Sequence, residues 1–152
     1  MALNEADIVS RDDFSTVRGY EELARWWGSA KPSAKWYFTD SEILRITIRR
    51  GSCTMDIYAF RYGEIRDKVN RYRIDKHCIV TFCCEGIINL HLEDFSVQNV
   101  LDGIRVTLEQ GVYRIELFPA FGIGGWVTTS GCSIAVSPLF EDSKHRISTT
   151  PQ

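Results

Sequence analysis

The sequence predicts an α+β protein, mainly β, built as an antiparallel sheet or sandwich of about seven strands with one N-terminal helix. Apolar and polar residues alternate with a period of two in seven segments between residues 44 and 136, whereas helical spacing is clear in one segment. Short glycine-containing turns separate the strands, and helices are too few for parallel crossovers. The 152 residues, 44% of them apolar, predict a single globular domain over residues 1–138.

The predicted helix comes first along the chain. Tyr20, Leu23, Ala24 and Trp27 recur at helical spacing, and Gly28 follows as a terminator. These residues predict one short amphipathic helix that ends at Trp27.

Strand periodicity begins after residue 43. Residues 44–48 and 53–59 alternate and predict a hairpin. Residues 61–76 are polar and basic, so we expect a long excursion with one edge strand. Two further strands are predicted at 78–84 and 88–92, with a turn at Glu85-Gly86 between them.

The remaining strands follow the same pattern. Segments 104–108 and 113–117 alternate around the turn dipeptide Gln110-Gly111, and a glycine-rich hairpin loop at 121–125 precedes a last strand at 132–136. Residues 139–152 show no apolar periodicity, so we expect a flexible C-terminal tail.

Charge and composition exclude several classes of protein. The 18 basic and 20 acidic side chains give a net charge of −2, which does not favour a nucleic-acid binder. No apolar run is long enough for a transmembrane helix, and the N-terminus lacks the features of a secretory signal, so we expect a cytoplasmic protein without a membrane partner. The five cysteines are odd in number and two are adjacent, which favours reduced thiols.

Residues for catalysis or metal binding are sparse. Only three histidines are present, and the alternation places His77 and His91 on the solvent side of their strands. No cysteine, histidine or carboxylate spacing matches a metal site, and the 121–125 loop lacks the helix that a phosphate-binding turn requires. We therefore expect no enzyme, no metal and no cofactor.

Two segments resemble a known family. The first runs Trp36-Tyr-Phe-Thr-Asp-Ser-Glu-Ile-Leu-Arg-Ile46, and the second runs from Phe82 through Glu85-Gly86 to the Asp-Phe-x-x-Gln-Asn-Val-Leu stretch ending at Leu101. Together they resemble the immunity protein 50 family of bacterial polymorphic toxin systems, over roughly residues 25–137. Thr39 stands where the family usually has a histidine, whereas Asp40 and Glu42 match.

This resemblance implies a cytosolic, antitoxin-like protein that binds and neutralises a cognate toxin domain. Aromatic and acidic side chains outside the core stripes are the candidates for partner contact: Trp36, Asp40, Glu42, Glu93, Asp94 and Trp126. The alternative function is a small-ligand-binding β protein with an aromatic-lined pocket, because the aromatic content is 12%.

Overall fold

Six antiparallel strands form most of the computed structural model, which describes residues 11–28, 34–66 and 72–139. They close into a barrel in the order β1-β2-β3-β6-β5-β4. The mainly β, antiparallel fold predicted from the sequence is therefore confirmed. The strands are β1 (Glu42–Arg49), β2 (Ser52–Arg66), β3 (Tyr72–Glu93), β4 (Val100–Glu109), β5 (Val112–Phe121) and β6 (Gly124–Pro138).

The helical elements precede the barrel. A 3-10 turn (Phe14–Thr16) leads into the predicted helix, α1 (Tyr20–Trp27), which ends at Gly28 in the left-handed conformation at φ 76°. A second helix, α2 (Ala34–Phe38), was not predicted because a single helical turn shows no periodicity. No helix in the described ranges has the length and apolar character needed to cross a membrane.

The strand count differs from the prediction because the expected turn at Glu85-Gly86 is wrong. Gly51 in the β1–β2 turn accepts backbone hydrogen bonds from Gly86 and Ile87, at 2.9 and 3.2 Å. Pairing with β6 continues from Glu85 to Ile87, so the two predicted segments are one strand.

The excursion expected at residues 61–76 is also different. β2 extends to Arg66 and β3 begins at Tyr72, and these two residues pair. The two strands thus form one long hairpin, of which residues 67–71 lie outside the described part. The flexible tail predicted for residues 139–152 lies outside it as well, except for Leu139.

Aromatic rings from the helical elements pack against Phe82 of β3 in the buried core. The ring of Phe14 lies 5.6 Å from that of Phe38 and 6.1 Å from that of Phe82, between centroids. Trp27 and Tyr37 approach to 4.7 Å beside them. Burying each such side chain contributes about 2–3 kcal/mol, so these contacts hold the helices on the barrel.

The barrel closes through a short contact between β1 and β4. Glu42 pairs with Val100, and Ile43 N donates to Asn99 O at 2.9 Å. Farther along β4, Asp13 takes the place of a strand partner: its N–H donates to the carbonyl of Val106. Only the beginning of β1 therefore takes part in closure.

Candidate functional site

Four polar and aromatic side chains form one row across the outer surface of the barrel. The strand registers pair His91 of β3 with Trp126 of β6, Trp126 with Glu116 of β5, and Glu116 with Arg105 of β4. Val127, which follows Trp126, is buried, and so are Ile115 and Leu117 on either side of Glu116. Because successive side chains of a strand point to opposite faces, the side chains of the row face outward.

Two arginines contact the side chains at the centre of this row. The guanidinium of Arg114 lies 4.7 Å from the ring centroid of Trp126, within the range of a cation–π contact, and its Nε lies 3.4 Å from Glu116 Oε1. Arg105 Nη2 donates to both carboxylate oxygens of Glu116, at 3.0 and 3.1 Å, and the Arg105 guanidinium lies 5.6 Å from the ring of Phe118. We name this set the Trp126 face: His91, Arg105, Arg114, Glu116, Phe118 and Trp126.

Two of the predicted acidic residues border the Trp126 face. Glu93 pairs with Gly124 at the end of β3, and its Oε2 lies 3.2 Å from His91 Nε2. Both side chains are more than half exposed, so this contact contributes little to stability. Asp94 is exposed and adopts the left-handed conformation at φ 61°, which ends the strand.

Exposed apolar side chains continue beyond these carboxylates. Phe95 and Val97 lie on the loop from β3 to β4, and Phe121 lies where β5 turns into β6. The buried side chain of Asn99 joins loop and turn, because its Oδ1 accepts from Ile123 N at 3.1 Å. This end of the barrel presents exposed apolar and aromatic side chains near arginines, and aromatic residues and arginine are enriched in protein interfaces.

The other predicted acidic pair lies elsewhere, beside the aromatic outer surface of β2. Tyr62 donates a short hydrogen bond to Asp40, which is exposed and left-handed at φ 63°. Burial, followed by the hydrogen bond and charge of Asp40, raises the pKa of Tyr62 to about 12. Glu42 pairs with Tyr58 across β1 and β2. Glu42 also pairs with Val100 of β4.

His77 belongs to this second cluster, and the expectation that it faces solvent is wrong. Its exposed fraction is 5%. Lys76 has a φ of 51°, in a register shift of the β2–β3 ladder that precedes His77. The imidazole then stacks on Tyr58 at 5.7 Å between ring centroids and shares a short hydrogen bond with the tyrosine hydroxyl through Nδ1.

The predicted site residues therefore divide into three groups. Glu93, Asp94 and Trp126 come together at the Trp126 face, Asp40 and Glu42 lie beside β2, and Trp36 lies on α2 in the chain before them. The sequence did not identify the arginines or Phe118 of the Trp126 face, because only the strand registers reveal them as neighbours of Trp126.

Three of the five thiols lie in one row across neighbouring strands, because Cys84 of β3 pairs with Cys53 of β2 and with Cys132 of β6. All five cysteines are free, and burial raises the pKa of Cys53 to about 11 and that of Cys78 to about 12. Among the described residues, no three histidine, cysteine, aspartate or glutamate side chains are arranged to hold a metal ion. Comparisons with protein families, curated proteins and solved structures find no match to this chain.

Proposed function

We propose that this protein is an immunity protein that acts in the bacterial cytoplasm, where it binds and neutralises a cognate toxin domain through the Trp126 face. The observation that carries this proposal is the cation–π contact of Arg114 with Trp126, at 4.7 Å, beside exposed apolar side chains. Tryptophan and arginine are the residues that contribute most often to binding energy in protein interfaces.

The preorganisation of the face supports this function. Glu116 binds Arg105 and lies beside Arg114, so both guanidinium groups are held before a partner arrives. Side chains that are already ordered lose less conformational entropy on binding. The mixed charges also suit an interface in which orientation is set by complementary partner groups.

The packing of the aromatic core favours a protein partner over a small ligand. The aromatic rings that would line an internal pocket contact one another instead, as Phe14 does with Phe38 and Phe82. A ligand entering there would have to separate buried ring pairs, and each such pair contributes about 0.5–1.5 kcal/mol beyond its buried area. An outer-surface interface requires no such rearrangement.

Co-expression with the product of the reading frame immediately upstream tests the proposal. We expect that product to arrest growth by itself, and we expect this chain to restore growth and to copurify with it. A harmless upstream product, or restored growth without a complex, would contradict the immunity function.

Two tryptophan variants test the surface. Trp126→Ala is expected to weaken the complex by about 2 kcal/mol or more, as loss of an interface anchor does. Trp26→Ala is the matched control, because Trp26 is also half-buried and carries a cation, Lys76, 4.8 Å from its ring. Equal losses of affinity in both variants would show that Trp126 is not part of the interface.

A further inference from the structure

β1 has a second edge, along most of which no strand of the described part of the chain pairs. The strand pairs with β2 from Glu42 to Arg49, with a register shift at Leu44, but it pairs with β4 through Glu42 alone. Beyond Ile43, no backbone hydrogen bond joins this edge to another described residue. An edge of this kind presents N–H and C=O groups that can pair with an added strand.

The side chains along this edge are apolar and exposed. Leu44 is 52% exposed and Ile48 is 58% exposed. Ile48 pairs with Cys53, which is fully buried on the inner face, so Ile48 points inward but is not covered. Strand addition at this edge would bury apolar area as well as pair backbone groups.

Charge indicates the chemistry of the added strand. Arg45, Arg49 and Arg50 are all exposed at this hairpin. Arg45 forms an ion pair with Asp56 at 3.1 Å, whereas no described carboxylate pairs with Arg49 or Arg50. An added segment with acidic side chains would meet these cations, and a segment with basic side chains would be repelled.

The same charges disfavour a second copy of this chain as the occupant. Two β1 edges joined to each other would bring the arginines of both copies together, and like charges on adjacent strands are destabilising.

β3 also has an edge that does not pair with β2, beyond Ile87, but it is less suited to strand addition than the edge of β1. There the side chain of Asn89 accepts a hydrogen bond from Leu90 N at 2.8 Å. That contact satisfies a backbone donor which β1 leaves open.

We infer that the free edge of β1 binds an extended, acidic segment of a partner protein by strand addition. The segment supplies main-chain hydrogen bonds to β1, apolar side chains for Leu44 and Ile48, and carboxylates for Arg49 and Arg50. This surface is separate from the Trp126 face, and its test requires no toxin.

The probe is a short synthetic peptide in which glutamate alternates with valine, and its control has lysine in place of glutamate. We expect the acidic peptide to bind at least about tenfold more tightly, by fluorescence anisotropy at low salt, and to weaken as salt is added. Amide NMR shifts are expected at residues 44–49. Equal binding of both peptides, binding of neither, or shifts confined to other strands would overturn the inference.

Variants assign the binding to this edge. Arg49→Glu combined with Arg50→Glu should reverse the preference between the two peptides. Ile48→Ser should weaken binding of the acidic peptide, whereas Ile88→Ser, at a position that is 60% exposed on β3, should not. Unchanged preference in the double variant, equal loss in both serine variants, or self-association of the chain through β1 would each contradict an acidic partner strand.

Discussion

Asn99 Oδ1 accepts a hydrogen bond from the backbone nitrogen of Ile123 at 3.1 Å, which ties the loop after β3 to the turn between β5 and β6. The same side chain accepts from Ser96 N at 2.9 Å and donates through Nδ2 to Ser96 O at 2.8 Å. One buried amide thus fixes two segments that carry exposed Phe95 and Phe121. It determines the shape of the surface that borders the Trp126 face.

Replacing Asn99 should destabilise the protein. Asn99→Ala leaves the N–H of Ile123 without its acceptor in a buried setting, so we expect the free energy of unfolding to fall by about 1–3 kcal/mol in urea titrations. Asn89→Ala is the control, because that side chain is exposed and bonds only its neighbour Leu90, and its cost should stay within about 0.5 kcal/mol. Equal costs would contradict the tethering role.

Gly122 is expected to tolerate alanine less well than Gly51. Both have positive φ angles, 85° and 77°, so both substitutions incur backbone strain. A Cβ on Gly122 would also lie 2.5 Å from Gln98 O and 2.6 Å from Asn99 Oδ1, whereas one on Gly51 meets nothing within 4 Å. Gly51→Ala should cost about 1–2 kcal/mol and Gly122→Ala clearly more, by thermal or urea unfolding. Similar costs for the two substitutions would show that Gln98 and Asn99 can shift without loss of stability.

The carboxylate of Glu116 should contribute more to stability than that of Glu93. Glu116 binds Arg105 in a partly buried setting, and Arg114 lies beside it, so Glu116→Gln should cost about 1 kcal/mol. Glu93→Gln removes only an exposed contact with His91 and should cost less than about 0.5 kcal/mol. Urea unfolding at low and high salt separates the two cases. A Glu116→Gln cost no larger than that of Glu93→Gln would contradict the prediction.

Stability should fall at alkaline pH because of the buried thiols. The pKa of Cys53 is raised to about 11 and that of Cys78 to about 12, from 9.0. The unfolded thiols lose their protons first, so stability is complete below pH 9 and decreases between pH 9 and pH 11 to 12, by about 1.4 kcal/mol per pH unit for each thiol. Urea unfolding under reducing conditions at pH 8 and pH 10 measures this decrease.

The control for this pH dependence removes two of the titrating groups. Cys53→Ala combined with Cys78→Val should make the alkaline decrease shallower, while Cys84 and Tyr62, whose pKa values are also raised, keep part of it. The variant is less stable at every pH because of the lost packing. An unchanged slope in the double variant would assign the decrease to other groups.

The sequence by itself determined the mainly β character, the first helix and the inner face of most strands. Alternation placed Val106 and Ile115 on the apolar side of their strands, and both are fully buried. Helical spacing and Gly28 defined α1. The prediction of a turn at Glu85-Gly86 was wrong, because the N–H groups of Gly86 and Ile87 donate to the Gly51 carbonyl and the pairing with β6 continues there. Local sequence contains neither contact.

Tertiary structure alone decided which strands are neighbours and hence which side chains meet. A period of two indicates which side of the sheet a residue faces, but it does not indicate which strand lies next to that residue's strand. The row from His91 through Trp126 to Glu116 therefore follows from the order β3-β6-β5, and the open edge at Ile48 follows from closure of the barrel at Glu42. Both proposed binding surfaces depend on long-range pairing, which is set by the whole barrel rather than by any single segment.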